Sequence, residues 1–220
     1  MISILGCGPA GLLAAHAAAL TGQDFIIYSK KQKSRIGGAQ FLHVQIPGIT
    51  LEQPDTYLDF IHIGTKRGYA MKVYGDPEAD VSWGSYPDGY HPAWNMRAAY
   101  DRLWDLYEDV IDDQEVTPSF VHDALAGGDF IISSIPPMAY CIRPDHHFFR
   151  SQRVWITQGA TTPDNSVMYN GAPDAKWYRA SCIFEHASTE WPFIQAGSVE
   201  VNKPLHTNCD CWPGIKRVGR

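Results

Sequence analysis

At 220 residues, with 45% hydrophobic and 19% charged residues, the chain has the composition of an ordinary globular protein and is long enough to bury a sizeable core without metal or disulfide support. Disordered, collagen-like and coiled-coil readings are excluded, and a formal net charge of −6 gives no general pull toward a nucleic-acid backbone, so non-specific nucleic-acid binding is not expected. The longest apolar stretch, Gly11 to Leu20, is interrupted by His16 and is too short to span a bilayer. Met1 runs directly into an apolar segment with no targeting region, so a cytoplasmic protein without a membrane partner is expected.

In chain order, the pattern predicts a strand over Ile2 to Gly6, a glycine turn, an Ala-rich helix from Pro9 to about Leu20, a stop at Gly22 and a second strand over Phe25 to Tyr28. A polar loop from Ser29 to Arg35 leads to Gly37-Gly38 and an extended stretch to Pro47. The segment from there to about Pro92 reads as loop-rich. From Ala93 to Val110, Trp94, Met96, Tyr100, Leu103, Trp104 and Tyr107 recur at three- and four-residue spacing, which predicts an amphipathic helix. Asp129 to Ile135 reads as a buried strand stopped by Pro136-Pro137, and Arg153 to Ile156, Ser166 to Tyr169 and Trp177 to Phe184 read as further strands. The five cysteines, Cys7, Cys141, Cys182, Cys209 and Cys211, form an odd, sparse set expected to be reduced thiols.

Gly6-Cys7-Gly8-Pro9-Ala10-Gly11 is a G-x-G-x-x-G placed where a strand gives way to a helix. In that context each glycine has a job. Gly6 permits the tight turn, Gly8 lets backbone approach a pyrophosphate, and Gly11 lets the helix pack on the sheet, while the helix N-terminus offers N–H groups to phosphate. Ser29, just past the second strand, stands where a carboxylate normally holds the ribose hydroxyls. It can hydrogen-bond but brings no charge. Behind it, Lys30, Lys31, Lys33 and Arg35 form a basic run that suits a cofactor phosphate, including the 2′-phosphate of NADP, or simply a solvated loop. At this point both FAD and NADP are open.

The Gly-Pro-Ala-Gly-Leu segment, the second strand and then Ser34-Arg35-Ile36-Gly37-Gly38-Ala39-Gln40 resemble the two N-terminal FAD-binding segments of the amine oxidase and UDP-galactopyranose mutase group of flavoproteins. That resemblance implies FAD as cofactor, with Gly37, Gly38 and Gln40 near the isoalloxazine. Asp129 to Pro137 is similar to the strand that closes the cofactor domain in that group. Met168-Tyr169-Asn170, Trp177-Tyr178-Arg179 and Phe184-Glu185-His186 resemble the mutases' substrate strands, which implies that Arg179 contacts a substrate phosphate. Gly219-Arg220 is similar to the Gly-Arg of the last FAD-contacting turn.

Read from its own chemistry, Arg179 carries a planar guanidinium suited to bidentate phosphate or carboxylate recognition, with a structural ion pair to Glu185 or another acid as the competing role. His43 and His186 are the candidate acid–base groups, each with a structural alternative. His206-x-x-Cys209-x-Cys211 holds three residue types that ligate zinc, but no fourth ligand or paired Cys-x-x-Cys is evident, so no metal is expected.

The expected architecture is an α/β, Rossmann-like, three-layer FAD-binding fold built from 1–48, 118–158 and 190–220, with a small substrate insert over 49–117 and substrate strands over 159–189. The expected cofactor-binding residues are Gly6, Gly8, Pro9, Ala10, Gly11, Ser29, Lys30, Gly37, Gly38, Gln40, Gly219 and Arg220. The expected catalytic residues are His43, Arg179 and His186. The expected activity is FAD-dependent oxidation of a small, phosphate-bearing amine or alcohol, a modified nucleotide being compatible, with a second subunit of a homodimer as one way to cover the flavin. A mutase-like isomerase of a nucleotide-sugar and a non-catalytic NADP- or nucleotide-binding protein are the alternatives.

Overall fold

The computed structural model describes every residue except 35, 37–39, 82, 84–86, 146–149, 207–208 and 220, and the side chains of 150–151 and 202–206. The elements run β1 (Ile2–Leu5), α1 (Pro9–Leu20), β2 (Phe25–Ser29), β3 (Phe41–Leu42), β4 (Thr56–Ile63), α2 (Lys66–Tyr74), β5 (Gly89–Asn95), α3 (Met96–Tyr107), β6 (Ile111–Asp113), α4 (Pro118–Ala126), β7 (Phe130–Ser133), β8 (Arg150–Gln158), β9 (Ser166–Asn170), β10 (Arg179–Ile183), β11 (His186–Trp191), β12 (Val199–His206) and β13 (Ile215–Arg217). They form two compact units, one from 1–35, 100–151 and 204–220, the other from 36–99 and 152–203.

The first unit is organised by a five-stranded sheet in the order β13-β7-β1-β2-β6, with every pair parallel. The first strand in sequence is central, the next two lie to one side of it and the last two to the other. This is the order of a Rossmann-like doubly wound sheet. Ile4 and Ile27 are register partners and share one face of the sheet, while Leu5 and Tyr28 share the other. On the first face Phe25 packs edge-on against Tyr107 of α3, whose hydroxyl is 2.8 Å from His16 Nδ1 of α1. On the second face Val121 of α4 packs with Leu5, Ile131, Tyr140 and Ile215. Helices on both faces make three layers, as the βαβ pattern predicts. Leu5, Ile131 and Val121 are wholly buried, each worth about 1.5–3 kcal/mol of apolar transfer.

The second unit holds an eight-stranded sheet in the order β12-β8-β11-β10-β9-β4-β5-β3, in which β4 and β9 run parallel while β10 is antiparallel to both β9 and β11. Leu58, Phe60, Ala93, Val167 and Ile183 form one core of this unit. Tyr69, Ala70 and Val73 of α2 form another with Val154 and Tyr178.

Three expectations from periodicity are corrected here. The helix expected from Ala93 begins only at Met96, because Asn95 Oδ1 accepts the N–H groups of Arg97 and Ala98 (3.0 and 3.1 Å) and so caps the helix there, leaving Trp94 in β5. It ends at Tyr107, where a 3₁₀ turn and β6 take over. The supposedly loop-rich stretch before Pro92 contains β4, α2 and part of β5; His62 and Asp59 interrupt an otherwise apolar run and hid the strand's period of two. The strand expected over Trp177 to Phe184 is shorter, because Phe184 and Glu185 both adopt positive φ (48° and 64°) in the two-residue turn between β10 and β11.

Candidate functional site

In a doubly wound sheet, ligands bind beyond the carboxyl ends of the strands where the strand order reverses, here between β1 and β7. The glycine turn is located there. Gly6 takes φ 98°, and a Cβ on it would lie 2.6 Å from both Ser134 Oγ and Ile135 Cγ2, just past β7. A Cβ on Gly11 would lie 1.9 Å from the Gly6 carbonyl oxygen. The chain itself therefore requires both glycines. Ser134 ties the two strand ends together, its N–H and hydroxyl both donating to the Leu5 carbonyl (2.9 and 3.0 Å).

Gly8 differs from both. Its backbone (φ −69°, ψ 175°) suits any residue, and a Cβ there would meet only Ser34 Oγ, at 3.7 Å. Among the described residues nothing in the packing calls for glycine at this position, whereas a ligand backed against the main chain would. Gly8 is also the N-cap of α1, and no side chain caps that helix. The contrast with the other helices is direct: Thr65 caps α2 by accepting the Gly68 N–H, and Thr117 caps α4 by accepting the Phe120 N–H. Pro9 at the first helical position has no N–H to satisfy, so the donors that α1 offers come from the residues around it.

Tyr100 holds this turn in place. Its hydroxyl donates to the Cys7 carbonyl (3.1 Å) and accepts the Ser34 N–H (3.0 Å), bridging the glycine turn to the loop after β2. Burial pushes the Tyr100 hydroxyl above its ordinary pKa, so it stays a donor. Lys33 lies over the rings of Tyr100 and Trp104 and pairs with Asp101 (2.5 Å). The sequence reading missed Tyr100 as a site residue, because its helical spacing marks it only as apolar.

Of the expected cofactor residues, Gly6, Gly8, Pro9, Ala10, Gly11, Ser29, Lys30 and Gly219 all belong to the first unit. Ser29 ends β2, where its hydroxyl accepts from the Cys7 thiol (3.2 Å). Gly219 (φ 80°) comes against Ala10, with a Cβ there lying 3.0 Å from the Ala10 side chain, so the chain's last turn meets the glycine turn. Lys30 pairs with Glu115 (2.8 Å) in the open. Gly37, Gly38 and Arg220 lie outside the described residues. Gln40 belongs to the second unit and is exposed.

The expected catalytic residues all fall in the second unit. Arg179 and Glu190 are cross-strand partners on β10 and β11, and the guanidinium pairs with the carboxylate. Tyr178 donates to the other Glu190 oxygen (2.7 Å). Burial works against the Arg179 charge, but Glu190 together with Tyr69, Tyr169 and Tyr178 outweighs it, and the net effect holds Arg179 above its ordinary value. Around this pair stand Tyr69, Tyr178, Tyr169 and Trp83 in edge-to-face and tilted contacts. His62 stacks on Tyr169 (5.2 Å, 8°), with its Nδ1 2.6 Å from Asp88. His43 packs its ring edge-on to Phe41 (4.4 Å), and His186 is the exposed first residue of β11. His186 pairs with Ile183 at the far end of β10 and β11 from the Arg179–Glu190 pair. The His62–Asp88 pair and Glu190 had no sequence signal, since their partners are distant in the chain.

Strand order and glycine turn together define a Rossmann-like α/β fold with its turn at the switch point. No family model matches the chain, and no curated protein matches its sequence. Among solved structures it is similar to a reduced UDP-galactopyranose mutase, at 12% identity and a TM-score of 0.48, covering 93% of this chain and 76% of that one. It is also similar to 2,6-dihydroxypyridine-3-hydroxylase from Arthrobacter nicotinovorans, at 12% identity and a TM-score of 0.45, covering 86% of this chain and 56% of that one. The chain thus spans little more than half the length of the hydroxylase. Among the described residues no helix is long and apolar enough to cross a membrane.

Proposed function

We propose that this chain is an FAD-dependent oxidoreductase whose first unit holds the cofactor's pyrophosphate at the β1–α1 turn. The observation that carries this reading is Gly8: a glycine that the packing of the described residues does not require, at the mouth of a helix that none of their side chains caps, at the topological switch point. In this reading the N–H groups at the start of α1 bind the pyrophosphate and the Ser29 hydroxyl meets the ribose. Tyr100 fixes the turn so that those donors converge. When bound, FAD supplies hydride acceptance from a carbon bearing an amine or hydroxyl.

The substrate class in this proposal is a small amine or alcohol carrying a phosphate, with Arg179 as its anion contact and His43 and His186 as proton-carrying candidates. The Arg179 side chain is about one quarter exposed, and its pairing with Glu190 fixes the plane of the guanidinium. Basic residues after β2 give less support to an NADP reading, because Lys30 and Lys33 are each already paired with an acid.

The test is the near-ultraviolet and visible absorbance of the purified protein, followed by cofactor release, identification and reconstitution. Flavin bands, and their bleaching by a substrate of the proposed class, are the expected result. A colourless protein that cannot be reconstituted with FAD but binds NADPH overturns the proposal.

A further inference from the structure

One feature of the sequence stays outside the nucleotide site: His206-x-x-Cys209-x-Cys211, three zinc-type residues for which the linear chain shows no fourth. The fold supplies one. Cys141 lies 70 residues before Cys211 in sequence, yet their sulfurs are 3.9 Å apart, and the sulfurs of Cys141, Cys209 and Cys211 all lie within 4.8 Å of one another. Cys141 lies in the loop after β7 and Cys209 and Cys211 in the loop before β13, and the two loops meet where Trp212 Nε1 donates to the Tyr140 carbonyl.

We propose that these three cysteines bind a zinc-class divalent ion that ties the loop after β7 to the loop before β13. In a tetrahedral thiolate site with Zn–S bonds of about 2.3 Å, sulfurs stand about 3.8 Å apart, which is the Cys141–Cys211 separation. A disulfide needs sulfurs at about 2 Å and uses them in pairs, so three mutually close thiols fit an ion better than a bridge.

The surroundings suit a metal site as well. The Arg143 N–H donates to Cys141 Sγ (3.4 Å), the kind of outer contact that orients a thiolate ligand. The Arg143 side chain crosses to the other loop and pairs with Asp210 (2.8 Å), and Trp212 Nε1 donates to the Tyr140 carbonyl (2.8 Å). Both loops are therefore held in register before any ion arrives. Cys141 and Cys209 are buried while Cys211 is half-buried, so the site opens on one side, where water can take the fourth position. On binding, each thiol gives its proton to solvent and its sulfur lone pair to the metal, with no change of oxidation state.

The experiment is elemental analysis of the full-length protein purified without chelator, with cobalt(II) titration of the metal-stripped, fully reduced chain read from the d–d bands in the red, clear of flavin absorption. About one zinc per chain and thiolate–cobalt spectra are expected. Cys141→Ser, Cys209→Ser and Cys211→Ser are each expected to weaken metal binding at least 100-fold in chelator competition. Cys182→Ser, whose thiol donates to Asp164 elsewhere in the chain, leaves it unchanged. Three results would overturn the proposal: a reduced wild-type chain that takes up neither zinc nor cobalt, a Cys141–Cys211 disulfide in protein isolated with its thiols blocked, or full metal content in all three serine variants. The wild-type titration decides the matter even where a variant fails to fold.

Discussion

Gly8→Ala separates what the chain needs from what a ligand needs. Among the described residues the new methyl meets only Ser34 Oγ at 3.7 Å, an ordinary contact, on a backbone that alanine readily adopts. Losing glycine's freedom in the unfolded chain stabilises by about 0.4–1 kcal/mol, and replacing glycine with alanine at an N-cap costs a similar amount, so the two effects cancel to within about 1 kcal/mol. For a chain of this length that is a shift in Tm of no more than about 2–4 °C. Gly11→Ala is the contrasting control: its methyl would sit 1.9 Å from the Gly6 carbonyl oxygen, and forcing α1 away from β1 costs on the order of 3 kcal/mol or more. In Gly8→Ala the methyl instead occupies the space through which a pyrophosphate approaches the main chain, and flavin affinity is expected to fall roughly 10- to 100-fold, or about 1.4–2.7 kcal/mol. Thermal unfolding of the cofactor-free protein and flavin-fluorescence titration measure the two quantities separately. Wild-type flavin affinity in a well-folded Gly8→Ala protein would refute the placement of the cofactor over this turn; a destabilisation matching that of Gly11→Ala would refute the claim that the fold tolerates a side chain at residue 8.

Tyr100→Phe removes the hydroxyl that bridges Cys7 and Ser34, stranding a part-buried N–H and carbonyl; a loss of about 1–3 kcal/mol in denaturant unfolding is expected, with flavin binding weakened in step. Glu190→Gln leaves the Arg179 charge without its counter-ion, and a loss of about 3–5 kcal/mol is expected in the same assay, most of it recovered when Arg179→Met is added; a loss under 1 kcal/mol would show that the pair is solvated. Alkaline stability tests the aromatic cluster: burial holds Tyr69 and Tyr178 above their ordinary value of 10.0, with Glu190 adding to the shift at Tyr178, so both stay protonated in the folded state while the unfolded chain ionises. Their contribution is complete below pH 10.0 and is lost as pH rises beyond it, at roughly 1.4 kcal/mol per tyrosine over the first pH unit, and Tyr69→Phe or Tyr178→Phe is expected to flatten that slope.

Local signals in the sequence sufficed for the β1-turn-α1-β2 unit. Alternation, glycine spacing and the Pro9 start each act over a few residues, so α1 spans Pro9–Leu20 as expected and Gly6 and Gly11 do the jobs their positions imply. The Asp129 to Ile135 run likewise became β7, because an apolar segment stopped by two prolines has little else to form. The second unit was far less legible. Its strands mix His, Asp and Tyr into positions that solvent exposure alone would leave apolar or polar, so β4 and α2 carry weak periodicity and take their form from packing on their neighbours.

The sequence by itself determined where a nucleotide-binding turn can form, since that depends on which residues tolerate tight backbone geometry and close approach. Only the tertiary structure decided who meets whom across the chain. Glu190 faces Arg179 because β10 and β11 pair in one register, Tyr100 reaches Cys7 because α3 lies along the sheet face, and Cys141 joins Cys209 and Cys211 because the loop after β7 packs on the loop before β13. Each of those meetings is fixed by strand register and helix placement, which are properties of the whole packed chain and leave no trace in the spacing of the residues concerned.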